Sequence, residues 1–267
     1  MAGGAATVGA AGFVGAFAVA HAHAVNVNAH TMPMDNRCRT VTEDYRRDDI
    51  IGSALQFRHI AIEGPIGAGK TALTERLGTR LDATVVLEET DNPFLADFYA
   101  DRPGAALQTQ LFYLLNRHRQ QVSLRQADLF SQVTISDYLF DKDKIFAFLN
   151  LDDNELFIYQ RLYDLLANDV APPDLVLYLQ APTDVLLRRV RSRRSDAEAV
   201  ALQPDDEYLR ELNEAYHHFF FHYNATPLLV VETSQFDSDA SDEALDDLIK
   251  QIRVMGSGTR YYVPRTR

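Results

Sequence analysis

The chain has 267 residues, 46% of them apolar and 24% charged, with a formal net charge of −12. That length and composition suit one globular domain with a sizeable core. The acidic balance excludes a protein that wraps duplex or other polymeric nucleic acid, which needs a basic face, but not one that binds a single nucleotide through local cations and backbone N–H groups.

In chain order, the first stretch does not read as a folding element. Met1 to Ala24 is dominated by Ala, Gly and Val, and no Lys or Arg occurs before Arg37. A secretory signal opens with positive charge and a mitochondrial presequence is rich in Arg. An Ala/Gly run is a poor hydrophobic anchor even where it is long enough to cross a bilayer. Residues 1–56 are therefore expected as a low-complexity, disordered extension and an Arg/Asp-rich linker, with Met32 or Met34 as alternative starts. A targeting segment is the next reading and membrane association the least favoured. Cys38 is the single cysteine, so it has no partner for an internal disulfide or a Cys-rich zinc site, and a reducing, cytoplasmic setting fits.

From Phe57 the pattern changes. Short runs rich in Val, Ile and Leu recur at Ile60–Ile62, Thr84–Leu87, Val133–Ile135, Leu175–Leu179 and Leu228–Val231. Each is bounded by turn or polar residues, as central strands of a parallel sheet are. Between them lie helical signals. Leu73, Leu77 and Leu81 stack on one face, Asp152 and Glu155 form a capping box ahead of Leu156, Tyr159 and Leu162, and residues 205–223 have the same character. The expectation is an α/β fold, a doubly wound five-stranded parallel sheet flanked by helices, over residues 57–255, with 256–267 as a C-terminal tail.

The sequence between the first strand and the first helix is Gly64-Pro65-Ile66-Gly67-Ala68-Gly69-Lys70-Thr71. This is a phosphate-binding loop in its required strand-to-helix context. The glycines let successive N–H groups face phosphate oxygens, and the helix N-terminus adds partial positive charge. Lys70 is expected between the β- and γ-phosphates of ATP, and the Thr71 hydroxyl on Mg²⁺. Lys70 is also the first lysine of the chain, the next being Lys142, so general surface solubility does not account for it.

A transferred phosphoryl group needs an acceptor, and ligands of parallel α/β sheets gather at the carboxyl ends of the strands. The second run ends Leu87-Glu88-Glu89-Thr90, where a carboxylate can take the proton of an attacking hydroxyl. The third ends Ile135-Ser136-Asp137, where an acidic residue can hold Mg²⁺ through water. The densest basic run is Arg188, Arg189, Arg191, Arg193 and Arg194, which fits either a phosphate lid or a solvated helix face.

Together with the phosphate loop, the segments LEETDNPFLADFYAD, ALQTQLFYLLNRHRQ, SDYLFDKDKIFA and PDLVLYLQAPTDVLLRRVRSRR occur in the order found in bacterial deoxynucleoside kinases, and from about Phe57 to Ile252 the chain resembles that family. The resemblance implies a P-loop kinase that phosphorylates the 5′-hydroxyl of a deoxyribonucleoside with ATP and Mg²⁺. It leans to purine substrates, because the motifs look most like those of deoxyadenosine and deoxyguanosine kinases. It makes Glu89 the base, with Glu88 beside it in the substrate site. It places Tyr99 and Glu198 at the sugar 3′-hydroxyl, Gln110 at the nucleobase edge, and Arg191 and Arg193 over the transferring phosphate. The long helix over 105–126 resembles the one that pairs subunits in the family, so a homodimer is expected.

Two departures stand out. No arginine follows Asp137, where many members of the family carry one that orients the base. Thr90 stands where proline often follows the catalytic glutamate, which leaves the choice between Glu88 and Glu89 open. A nucleoside monophosphate kinase of the thymidylate-kinase type is the nearest alternative. Glu88, Glu89 and Asp91 speak against it by repelling a charged acceptor. A nucleotide-binding partner protein that has lost catalysis is the other.

Overall fold

The apolar runs become strands because each is too short for a stable helix and carries branched residues that fit a sheet buried on both faces. A computed structural model describes residues 55–127, 133–192, 205–235 and 242–264. Nearly all of the expected N-terminal extension, residues 1–54, lies outside them. So do the sites expected at Arg193 and Glu198.

The described elements alternate: β1 (His59–Glu63), α1 (Lys70–Leu81), β2 (Thr84–Val86), α2 (Leu95–Tyr99), α3 (Ala105–Ala127), β3 (Thr134–Ser136), a 3₁₀ turn (Phe140–Lys142), α4 (Asp143–Asn150), α5 (Asp153–Ala167), β4 (Leu175–Gln180), α6 (Thr183–Ser192), α7 (Asp206–Phe221), β5 (Leu228–Glu232), α8 (Asp242–Arg253) and β6 (Thr259–Tyr262). The sheet order is β2-β3-β1-β4-β5-β6, all pairs parallel. The sheet has one strand more than the five expected. Residues 256–267, read as a tail, contain β6, whose Leu228↔Thr259 and Val230↔Tyr261 register extends β5. Its sequence, Thr-Arg-Tyr-Tyr, lacks an apolar run because it is an edge strand with Tyr261 74% exposed.

The two faces of the sheet bury different helices. Ile60, Ile62, Leu177, Leu179, Leu229 and Val231 pack with Leu73 and Leu77 of α1 and with Leu245, Leu248 and Ile252 of α8. The alternate residues Ala61, Val176, Tyr178, Leu228 and Val230 meet Leu212, Tyr216 and Phe220 of α7. The period-2 alternation of the strands thus decides which helix lies on which face. The capping box forms: Asp152 accepts from Asn154 N and Glu155 N, and this starts α5. No helix among the described residues is long and apolar enough to cross a membrane.

Candidate active site

Three strands of the sheet end at one place. β1 runs into the phosphate loop, β2 into Glu88 and β3 into Asp137. The loop is tight. Ala68 N donates to Pro65 O at 3.1 Å, and Gly67 and Gly69 take φ of 88° and 94°, the left-handed region that favours glycine. A Cβ on Gly64 would lie 2.6 Å from the Leu179 carbonyl, so only glycine lets the loop pass this close to β4. Lys70 opens α1, and its Nζ donates to Gly64 O at 2.7 Å. Burial lowers its pKa, against the attraction of Glu63.

Glu63, fully buried, ties this loop to its surroundings. Its carboxylate accepts from Gly64 N and Leu139 N, each at 2.8 Å, and from the Tyr216 hydroxyl at 3.1 Å. The loop, the connection after β3 and α7 are thereby held by one side chain.

Thr71 Oγ1 donates to Asp137 Oδ2 at 2.7 Å, and Asp137 Oδ1 accepts the Glu88 N–H at 2.6 Å. Thr71 and Asp137, expected together at a metal, are therefore adjacent. A hydroxyl and one carboxylate fit Mg²⁺, which keeps several waters and takes few protein ligands beside substrate phosphates. No group of three His, Cys, Asp or Glu that could hold a metal by itself occurs among the described residues.

The acceptor end is a cavity of about 190 Å³ bordered by Lys70, Glu88, Tyr99, Gln110, Arg117 and Lys142 among others. Of the two glutamates it is Glu88, 14% exposed at the side chain, that faces it. Glu89, expected as the base, is exposed and borders no part of it. The Glu88 N–H is held by Asp137 Oδ1 and its carboxylate by Arg117 and Lys142, which fixes this side chain inward, while Leu87 and Glu89 on either side are exposed.

Glu88 sits between two buried cations. Arg117 Nε and Nη2 donate to its Oε1 at 2.7 and 2.6 Å, and Lys142 Nζ donates to its Oε2. Burial alone would raise the Glu88 pKa, but Lys142 and Arg117 outweigh it and hold the carboxyl down at about 2. Arg117 also pairs with Asp143, and Asp143 accepts from Gln110 Nε2 and from the Tyr159 hydroxyl. Burial raises the Asp143 pKa, with Arg117 and the donors opposing. Tyr99 is half-buried on the cavity wall, its hydroxyl pushed up to about 12 by burial. The loop after Glu89 is fastened to α3 by Asn92 Nδ2, which donates to Thr109 O at 3.0 Å.

Of the residues expected from sequence, Gly64 to Thr71, Glu88, Tyr99, Gln110 and Asp137 converge here. Arg191 does not. It pairs with Asp206 across the ends of α6 and α7, at a largely exposed position. Glu63, Arg117, Lys142 and Asp143 were not anticipated. Arg117 lies seven residues after Gln110, two helical turns along the same face of α3, which is a signal the sequence carried. A wider cleft of about 530 Å³ between α3, α5 and the start of β1 is bordered by His59, Asp141, Lys144 and Asn168 and touches no phosphate-loop residue.

A parallel α/β sheet with this loop at its centre and charged groups at the strand ends is the architecture of a P-loop phosphotransferase. A sequence profile of the deoxynucleoside kinase family matches residues 60–255, and the chain belongs to that family. It is 35% identical over 205 residues to a deoxyadenosine kinase of Dictyostelium discoideum, covering 74% of this chain and 80% of that one. It is 36% identical over 136 residues to a deoxyguanosine kinase of Bacillus subtilis (strain 168), covering 50% and 66%. Among solved structures, it is similar to deoxyadenosine kinase from M. mycoides with products dCMP and a flexible dCDP bound. That match has a TM-score of 0.59 and 25% identity, and covers 72% of this chain and 97% of that one.

Proposed function

We propose that the protein transfers the γ-phosphoryl group of ATP to the 5′-hydroxyl of a deoxynucleoside, purine deoxynucleosides first, and that Glu88 receives the hydroxyl proton. The observation that carries this is the convergence on one cavity of Lys70 from the phosphate loop and Glu88 from the end of β2. Glu88 is ionised throughout the neutral range and accepts a hydrogen bond from the hydroxyl at once. As the 5′-oxygen bonds to phosphorus, the bond from phosphorus to the β–γ bridging oxygen breaks and ADP leaves with that electron pair. A carboxylate of such low basicity takes the proton late, when bonding to phosphorus has made the hydroxyl acidic.

Lys70 and the loop N–H groups hold the β- and γ-phosphates. Thr71 and Asp137 are the residues to hold Mg²⁺, which supplies neutralising charge on the phosphate oxygens when bound. Gln110 offers the nucleobase edge an amide, which the buried Asp143 carboxylate orients from behind. Tyr99, with Glu198 as the sequence expects, meets the sugar. Arg191 must leave Asp206 to join Arg193 over the phosphate. We place the enzyme in the cytoplasm with its ATP donor. As its oligomer we propose a homodimer through α5 and α3. Phe157, Ile158 and Leu165 on α5 are 59%, 53% and 67% exposed, and Leu115 on α3 is 38% exposed. A Leu165→Glu variant sedimenting as a monomer where the wild type is a dimer checks this; an unchanged dimer places the interface elsewhere.

One observation bears on the alternatives. Arg117 and Lys142 neutralise Glu88, so repulsion at the acceptor end is weaker than the sequence suggests and does not by itself exclude a phosphorylated acceptor. Two cations on Glu88 can also do the orienting work of the arginine missing after Asp137, which speaks against a non-catalytic reading. The test is monophosphate formation from ATP with each of the four deoxynucleosides and, separately, with dTMP. Turnover of a deoxynucleoside supports the proposal. Turnover of dTMP alone makes the protein a monophosphate kinase.

A further inference from the structure

Lys142 does more than the neutralisation of Glu88 requires. It sits on the 3₁₀ turn after β3, is 3% exposed, and borders the same cavity as Lys70. The two cations on Glu88 are held differently. Arg117 is fixed at both ends, bridging Glu88 and Asp143. The Lys142 ammonium donates to Glu88 Oε2, its one hydrogen-bond acceptor among the described residues. An ammonium carries three donors. At least two therefore stay uncommitted at the wall of a largely apolar cavity, where few other groups can answer them, and their charge is close enough to act on Lys70. A lysine so placed is a cation free to take a second partner.

The reaction creates that partner. Resting on the reading of Glu88 as the proton acceptor, the attacking 5′-oxygen lies against the Glu88 carboxylate. When the new oxygen–phosphorus bond forms and the bond to ADP breaks, a phosphate carrying up to two negative charges stands beside an acidic side chain in a site partly closed to water. Like charges at such a distance repel strongly in a partly screened site unless a cation intervenes. We propose that Lys142 binds the 5′-phosphate of the newly made monophosphate, bridging it to Glu88, so that the acceptor end recognises product through a lysine on the 3₁₀ turn. Lys142 takes no part in the bond exchange.

A purely structural Lys142, bracing Glu88, would affect nucleoside and monophosphate alike, and calorimetry separates the two roles without turnover. The ligands are deoxyadenosine and dAMP, or deoxyguanosine and dGMP if the wild type binds those better, with wild type, Lys142→Met, Lys142→Gln and Lys142→Arg. The Gln variant can still donate to Glu88, so it covers the case in which Met does not fold. The expected result is a roughly 10- to 100-fold loss of monophosphate affinity in Met and Gln, the range of one charge-assisted hydrogen bond. Nucleoside affinity stays within a few-fold, and Arg restores most of the loss. Equal weakening of both ligands, or an unchanged monophosphate affinity, overturns the proposal. A wild type that binds neither ligand overturns it together with the deoxynucleoside reading.

Discussion

The two ends of the active site are built on different principles. The donor end, Gly64 to Thr71, is one contiguous stretch whose chemistry is backbone N–H groups, a helix N-terminus and one lysine. The acceptor end is assembled from four places, Glu88 after β2, Gln110 and Arg117 on α3, Lys142 on the 3₁₀ turn and Asp143 at the start of α4, and is held by buried ion pairs. A contiguous site depends on local conformation. A dispersed one depends on every partner being present, because a buried charge that loses its mate is costly.

Breaking the acceptor network should therefore damage the fold, and breaking the donor loop should damage only the chemistry. Arg117→Met leaves Glu88 and Asp143 without their shared cation. Denaturant unfolding should show a loss of about 3–5 kcal/mol, the cost of opening a buried pair. Lys70→Met should leave unfolding close to wild type and lower turnover by roughly 10²–10³-fold, as expected for removing one preorganised charge from a transition state. Comparable stability losses in the two variants would dissolve the contrast.

The acceptor network should also show in acid. The folded pKa of Glu88, about 2, lies below its ordinary value of 4.5. Its contribution is thus complete above about pH 4.5 and is lost as pH falls toward 2, with a size on the order of 3 kcal/mol. Asp143 works the other way, since burial raises its pKa and protonation relieves that cost. The stability gap between wild type and Glu88→Gln should be large at pH 7 and close across that acid window. At the other extreme, Arg80→Ala removes an exposed pair with Asp246 between α1 and α8, and the melting temperature should not change measurably.

The same contrast explains what the sequence disclosed. Gly64 to Thr71 was legible because all of its chemistry lies in eight consecutive residues. Five strands were legible because each carries a run of branched apolar residues, β2 at the other edge included. β6 was not, since this edge strand, Thr-Arg-Tyr-Tyr, is mostly exposed and carries no such run. Glu88 and Glu89 could not be separated, because which one turns inward is decided by its contacts with Asp137, Arg117 and Lys142, all far along the chain. Lys142 and Asp143 were missed because ion pairs that bridge 26 to 54 positions leave no mark on spacing, and Arg117 is marked only by its seven-residue distance from Gln110 on α3.

The central claim is that Glu88, clamped by Arg117 and Lys142, is the acceptor-end carboxylate of a deoxynucleoside kinase. Its most direct test is monophosphate formation from ATP and the preferred deoxynucleoside by Glu88→Gln and Glu89→Gln side by side. The account predicts that Glu88→Gln loses roughly 10²–10⁴-fold in turnover, the range of a general base, while Glu89→Gln stays near wild type. Loss in Glu89→Gln with Glu88→Gln active would contradict it.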